Sequence, residues 1–330
     1  MSVNLRADSP ANLVACLPYL FGFTPSQSVM VLGLKGTRID VAARIDASVV
    51  LAPDFDQDAL RHRLACVTGN PTMVVVVWMD DEAQARRALD LTVTCLGGVD
   101  LGLLVCGGRC FDGDTWADVP GQIPAAEQAG MTVLSSRDVL AQKVAGPTGD
   151  AVEQATTAWR TASAAGDRGA IEMADWAWTL IRDWLDFDPS RITPEFAAQL
   201  AFCVQSGAVR DTVEARMTMS NARQYLALWL GVVNQVPDDA APAVLGLAGL
   251  AAWLAGDGAL EVCAIERGLT LDPDHPLLRL VEQINVQGVR PDLWEKITAA
   301  QAREHDDPGD PWDIATHEDT LTESLNPVQP

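Results

Sequence analysis

A side-chain nucleophile needs a base within hydrogen-bond reach before it attacks at neutral pH, and this chain has four histidines to supply one. His62 falls on a charged helical stretch, His275 stands between Asp274 and Pro276, and His305 and His317 lie near the C-terminus. No Gly-x-Ser-x-Gly elbow accompanies them. Carboxylates are so numerous that spacing selects no acid–base pair. Lysine chemistry is confined to Lys35, Lys143 and Lys296, and none precedes Ser or Thr, so no Gly-Lys-Ser/Thr phosphate loop is present.

Metal chemistry finds little better footing. Cys106 and Cys110 lack the Cys-x-x-Cys spacing and a second ligand pair. Asp112, Asp114 and Asp118 echo half a calcium loop, but Ile123 stands where the bidentate Glu is needed. His305, Asp306, Asp307, His317 and Glu318 could gather a divalent ion only in a polar tail. The expectation is therefore no metal and no cofactor. What remains is Gly107-Gly108, which follows an apolar strand and could cradle an anion with its amides. Arg109 would supply charge there, and Trp116 is a further candidate.

The elements that must position these residues follow from apolar periodicity. Ser9-Pro10 predicts a capped helix through Asn12–Leu20. Residues 29–34 and 39–45 predict a hairpin, and 53–67 a helix. Thr72–Trp78 (TMVVVVW) and Leu101–Cys106 read as strands buried on both faces, with an amphipathic helix between them over 80–96. Strand, helix, strand predicts a parallel unit. The first part, 1–149, is therefore expected to be an α/β domain with a mixed, largely parallel sheet and a hairpin.

From Asp150 to about Ala302 no strand is evident, and Ala, Leu and Trp recur at helical spacing. Ala177, Leu180, Ile181 and Trp184 make one face; Leu226, Trp229, Leu230 and Val233 make another. Ala164-Ala165-Gly166-Asp167 and Leu254-Ala255-Gly256-Asp257 each separate two helical stretches. This predicts an all-α domain over 150–303 built of helical hairpins, partly of tetratricopeptide type. Residues 304–330 carry eight acids, four prolines and no Lys or Arg, which predicts a disordered acidic tail. Trp312, Ile314 and Leu321 interrupt it and are candidate docking residues.

A net charge of −22 argues against nucleic acid as a partner, because displacing counterions requires a basic face. The longest uncharged stretch, 240–256, contains Pro242 and is flanked by aspartates, so it reads as a buried helix rather than a membrane span. The seven scattered cysteines and the polar start MSVNLRADSP predict a cytoplasmic protein.

Ser9-Pro10-Ala11-Asn12-Leu13, Leu17-Pro18-Tyr19-Leu20-Phe21-Gly22-Phe23-Thr24-Pro25 and Ser28 before VMVLGL resemble the opening of the DUF4192 family. Gly107-Gly108-Arg109 with Trp116 is similar to its central motif, and 251–259 through Asp272-Pro273 to its C-terminal part. The resemblance spans roughly 5–295. Cys110 and Phe111 stand where family members often carry aromatic pairs. The resemblance implies an actinobacterial or actinophage source and a cytoplasmic location, and brings no catalytic residues. The residues point to a protein-binding or scaffold module, with another protein as partner and neither nucleic acid nor membrane. The alternative is an enzyme or small-molecule sensor holding an anionic ligand near Gly107-Gly108-Arg109.

Overall fold

The computed structural model describes residues 5–164, 166, 169–187, 192–294 and 296. Ser9 caps the first helix, α1 (Pro10–Phe21), by accepting the Asn12 amide at 3.2 Å, with proline at the first helical position. Gly22, at φ +76°, ends it in the left-handed conformation that a side chain would strain. The hairpin follows as β1 (Ser28–Lys35) and β2 (Arg38–Asp46).

Three short helices come next: α2 (Ala47–Leu51), α3 (Gln57–Arg63) and α4 (Ala65–Thr68). The helix expected over 53–67 is thus two, because Asp56 caps α3 through the Asp58 and Ala59 amides and the chain breaks at Leu64. Then β3 (Thr72–Trp78), α5 (Glu82–Leu96) and β4 (Leu101–Cys106) form the expected crossover. The chain turns back into β5 (Arg109–Phe111) and β6 (Trp116–Asp118), and α6 (Pro124–Gln128) and α7 (Arg137–Ala141) follow.

The six strands form one mixed sheet in the order β2-β1-β3-β4-β5-β6. Only β3 and β4 run parallel; the other four neighbours are antiparallel. The sheet is therefore mixed but largely antiparallel, not largely parallel as its two strongest strands suggest. A parallel neighbour requires a crossover, and only α5 provides one. Successive residues along the strands enter opposite layers. Val29, Val31, Val75, Val77 and Leu104 pack with α2 to α5 residues, including Val50, Leu64 and Ala88. Met30, Leu32, Val74, Val76, Leu103 and Val105 pack with Ala11, Val14 and Leu17 of α1. Helices on both faces explain why β3 reads as an unbroken apolar run.

Every described element downstream is a helix: α8 (Asp150–Ala164), α9 (Ala170–Phe187), α10 (Pro194–Cys203), α11 (Gly207–Glu214), α12 (Ala222–Val233), α13 (Ala241–Leu254), α14 (Gly258–Leu271) and α15 (Pro276–Gln287). Ala177, Ile181, Trp184, Trp229 and Val233 are buried, as their spacing predicts, while Leu180, Leu226 and Leu230 are half-buried. All fourteen residues of α13 are buried. No described helix is long and apolar enough to cross a membrane.

Contacts divide the chain into two compact units. One holds the described residues up to Gln142 with Asp257–Ala259 and Glu282–Val289. The other holds those of Lys143–Gly256, Leu260–Val281 and from Arg290 on.

Candidate functional site

Gly107 and Gly108 are the two residues between β4 and β5, at φ +54° and +76°. Two consecutive left-handed residues give the turn twist that a tight hairpin needs, which is why glycine stands at both. Arg109, the first residue of β5, is opposite Asp118 at 3.6 Å, and its guanidinium lies 5.7 Å from the Trp116 ring centre. Trp116 in turn packs on Phe111 at 5.3 Å, and Arg86 of α5 covers Phe111 at 4.7 Å while donating to Glu82. The hairpin thus assembles Arg109 and Trp116 into a ladder of alternating rings and guanidiniums. Sequence reasoning meets Phe111 only through the family resemblance and gives Arg86 no part here. The Asp112 turn between Phe111 and Trp116 is a sequence signal of this hairpin, and nothing in the spacing marks Arg86. Asp112 accepts the Asp114 and Thr115 amides, so it closes that turn, and those bonds hold its carboxyl below the usual range.

The cysteines offer no activated thiol among these residues. Burial raises Cys16, Cys66, Cys95 and Cys106, and pushes Cys110 up to about 11. No group of three or more His, Cys, Asp or Glu that could hold a metal ion occurs among the described residues.

Among the ionisable side chains that the helical unit buries are Arg210, Glu214 and His275, the last already met as one of four possible bases. Arg210 of α11 donates to the Val204 and Gln205 carbonyls at the end of α10, at 3.0 and 2.8 Å. One turn on, Glu214 is 8% exposed, and desolvation, with Asp211 adding to it, pushes its carboxyl up to about 8 despite Arg210. His275 is equally buried, its Nδ1 has no hydrogen-bond partner, and burial with Arg210 holds it down to about 4. At neutral pH the set carries a cation, a protonated acid and a neutral imidazole. Arg210 serves as a C-terminal cap for α10. Period-3.6 reading hides such residues, because Arg210 and Glu214 occupy the same face as the apolar Val209 and Val213.

An open cleft of about 700 Å³ lies among α8, α9 and α10. One continuous stripe of α8 lines it: Asp150, Glu153, Gln154, Thr157, Ala158, Thr161 and Ala162. These recur every three or four residues, so the stripe runs about 18 Å along the helix. Trp176 of α9 and Pro194, Glu195 and Gln199 of α10 complete the walls. Glu195 is fixed by its helix start, where Thr193 accepts the Phe196 amide at 3.3 Å and Pro194 follows. The floor is small because Ala158, Ala162 and Ala198 pack together with Phe202. Trp159, on the other side of α8, donates to Asp239 at 3.1 Å and meets Phe202 edge-on, which holds the stripe in place. The walls combine acids, amides, hydroxyls and one large ring, the means to hold a polar chain in an extended groove.

Trp312, Ile314, Leu321 and the histidines of the tail lie outside the described residues. So do Ala165, Asp167, Asp188 and Pro189, while the helices flanking the first echo, α8 and α9, are described, and α13 and α14 flank the second around Gly256. No curated protein and no solved structure matches this chain. A family model described as a domain of unknown function, DUF4192, matches residues 10–292. That span takes in α1, the whole sheet with its Gly107-Gly108 turn, the cleft and the buried Arg210, Glu214 and His275, and the chain belongs to the DUF4192 family.

Proposed function

We propose that this chain is a non-catalytic binding module that seats a segment of another protein in the cleft among α8, α9 and α10. The stripe of seven α8 residues along an open cleft carries this reading. A groove about 18 Å long accommodates roughly five residues of extended chain at ~3.3–3.6 Å each. The side chains lining it bind amides and hydroxyls well and include no nucleophile paired with a base. Helical-hairpin units of tetratricopeptide type, a cytoplasmic setting and an actinobacterial or phage source belong to the same reading. The α13–α14 hairpin and the scattered buried thiols support its first two parts. The alternative, an anionic ligand at Gly107-Gly108-Arg109, has less behind it, since Asp118 and Trp116 already engage Arg109.

A peptide array probed with the full chain tests the proposal. Peptides retained by the native chain are expected to be lost on Thr157→Trp, which fills the cleft from an exposed position. If no retained peptide is sensitive to that substitution, the cleft is not the binding site.

A further inference from the structure

We infer that α9 pairs antiparallel with α9 of a second copy of this chain, along a solvent-facing stripe of the helix. The buried side of α9 is Met173, Ala177, Ile181 and Trp184. Ile171, Trp178 and Leu185 follow one another at intervals of seven residues, nearly two turns, so they line up along another side. Ile171 is 55% and Leu185 39% exposed. A helix apolar on a second side has a second surface to cover. Asp175 and Arg182 flank that stripe, also seven residues apart and both exposed. None of the ion pairs formed among the described residues uses either. Within the helix Asp175 accepts the Thr179 hydroxyl through its backbone carbonyl, which leaves the carboxylate out of that bond.

Charge decides the occupant and its direction. A two-fold axis beside Trp178 sets Ile171 against Leu185 of the second copy, since each lies about 10.5 Å along the helix from Trp178. The same axis sets Asp175 against Arg182 of the second copy, with a mismatch of only about 1.5 Å. Symmetry makes each pairing twice. Parallel helices would instead place Asp175 on Asp175 and Arg182 on Arg182. Opposite charges flanking an apolar seam are what fix orientation between paired helices. Trp178 adds less than its size suggests, because Arg216 already lies over its ring at 3.8 Å. The axis also brings the two Arg216 side chains to the same level, a like-charge cost. The seam from Ile171 to Leu185 is about 21 Å long, so the contact falls below the ~1,200 Å² of standard interfaces and the dimer is weak. Trp176, which lines the cleft, projects from a different side of α9 than Trp178, so the stripe and the cleft are separate surfaces.

Sedimentation equilibrium of the full chain tests this. From about 1 μM to about 1 mM the average mass should climb from that of one chain towards that of two. Ile171→Ser with Leu185→Ser, both at exposed positions, should leave a monomer throughout and an unchanged melting temperature. Asp175→Arg and Arg182→Asp should each weaken the dimer about tenfold, two exposed ion pairs being lost. Mixed in equal amounts, those two single variants should dimerise with each other, because each then meets the opposite charge on its partner. A chain that stays monomeric across the range would overturn the inference. So would a dimer that survives Ile171→Ser with Leu185→Ser, or a mixture of the single variants that associates no better than either alone.

Discussion

Glu214 gives the sharpest physical prediction. Its carboxyl is pushed up to about 8 by burial, from a reference value of 4.5. The folded state therefore holds a proton that the unfolded state releases above about pH 4.5. With more protons bound in the folded state, stability must fall as pH rises through that window. The slope approaches ~1.4 kcal/mol per pH unit, so the full loss between the two values is at most roughly 5 kcal/mol. Glu214→Gln keeps the shape and removes the proton. Urea melts of the native chain and the variant at pH 5, 6.5 and 8 isolate the effect, because every other titrating group is shared. Relative to the native chain, the variant should gain about 3–4 kcal/mol on going from pH 5 to pH 8. Parallel stability curves, with a difference that does not move with pH, would refute a protonated Glu214 in the folded state. A variant that falls behind as pH rises would refute the assigned direction as well.

Two further outcomes follow from the same packing. His275 is held down to about 4, so its contribution is present above its reference 6.5 and lost as pH falls towards 4; His275→Gln should flatten the acid limb of the stability curve in that window. In α13, an added methyl at Gly246 would meet Leu277 at 2.8 Å, whereas one at Gly249 would meet Val281 at an ordinary 3.5 Å. Gly246→Ala should cost about 1–3 kcal/mol in a denaturant melt, and Gly249→Ala should be neutral or gain up to ~1 kcal/mol from helix propensity.

The framework was legible where local chemistry is strong. Ser9-Pro10, the TMVVVVW run and the acidic start of α5 each mark an element whose observed bounds lie close to the expected ones. Strand direction was less so. A run apolar on both faces signals burial, not orientation, and β1 joins β3 antiparallel with a face buried just as well. The three-residue strands β5 and β6 are too short for alternation to register. Gly107-Gly108 was visible as a signal, and its backbone shows a hairpin turn. The cleft was invisible for a different reason. Its α8 stripe mixes acid, amide, hydroxyl and alanine, which reads as an ordinary exposed helix face until α9 and α10 stand beside it.

The uniform burial of α13 bears on the order in which the chain can be made. A helix with no wet face cannot wait in water as a stable intermediate, since it has no polar side to turn outward. Leu277 and Val281, which cover Gly246 and Gly249, are synthesised roughly thirty residues later. At ~5–20 residues per second the nascent chain spends seconds with this surface unsheltered. The helical unit therefore has a period of exposure to aggregation and proteolysis late in synthesis, and a stop between α13 and α15 leaves this apolar helix without its cover.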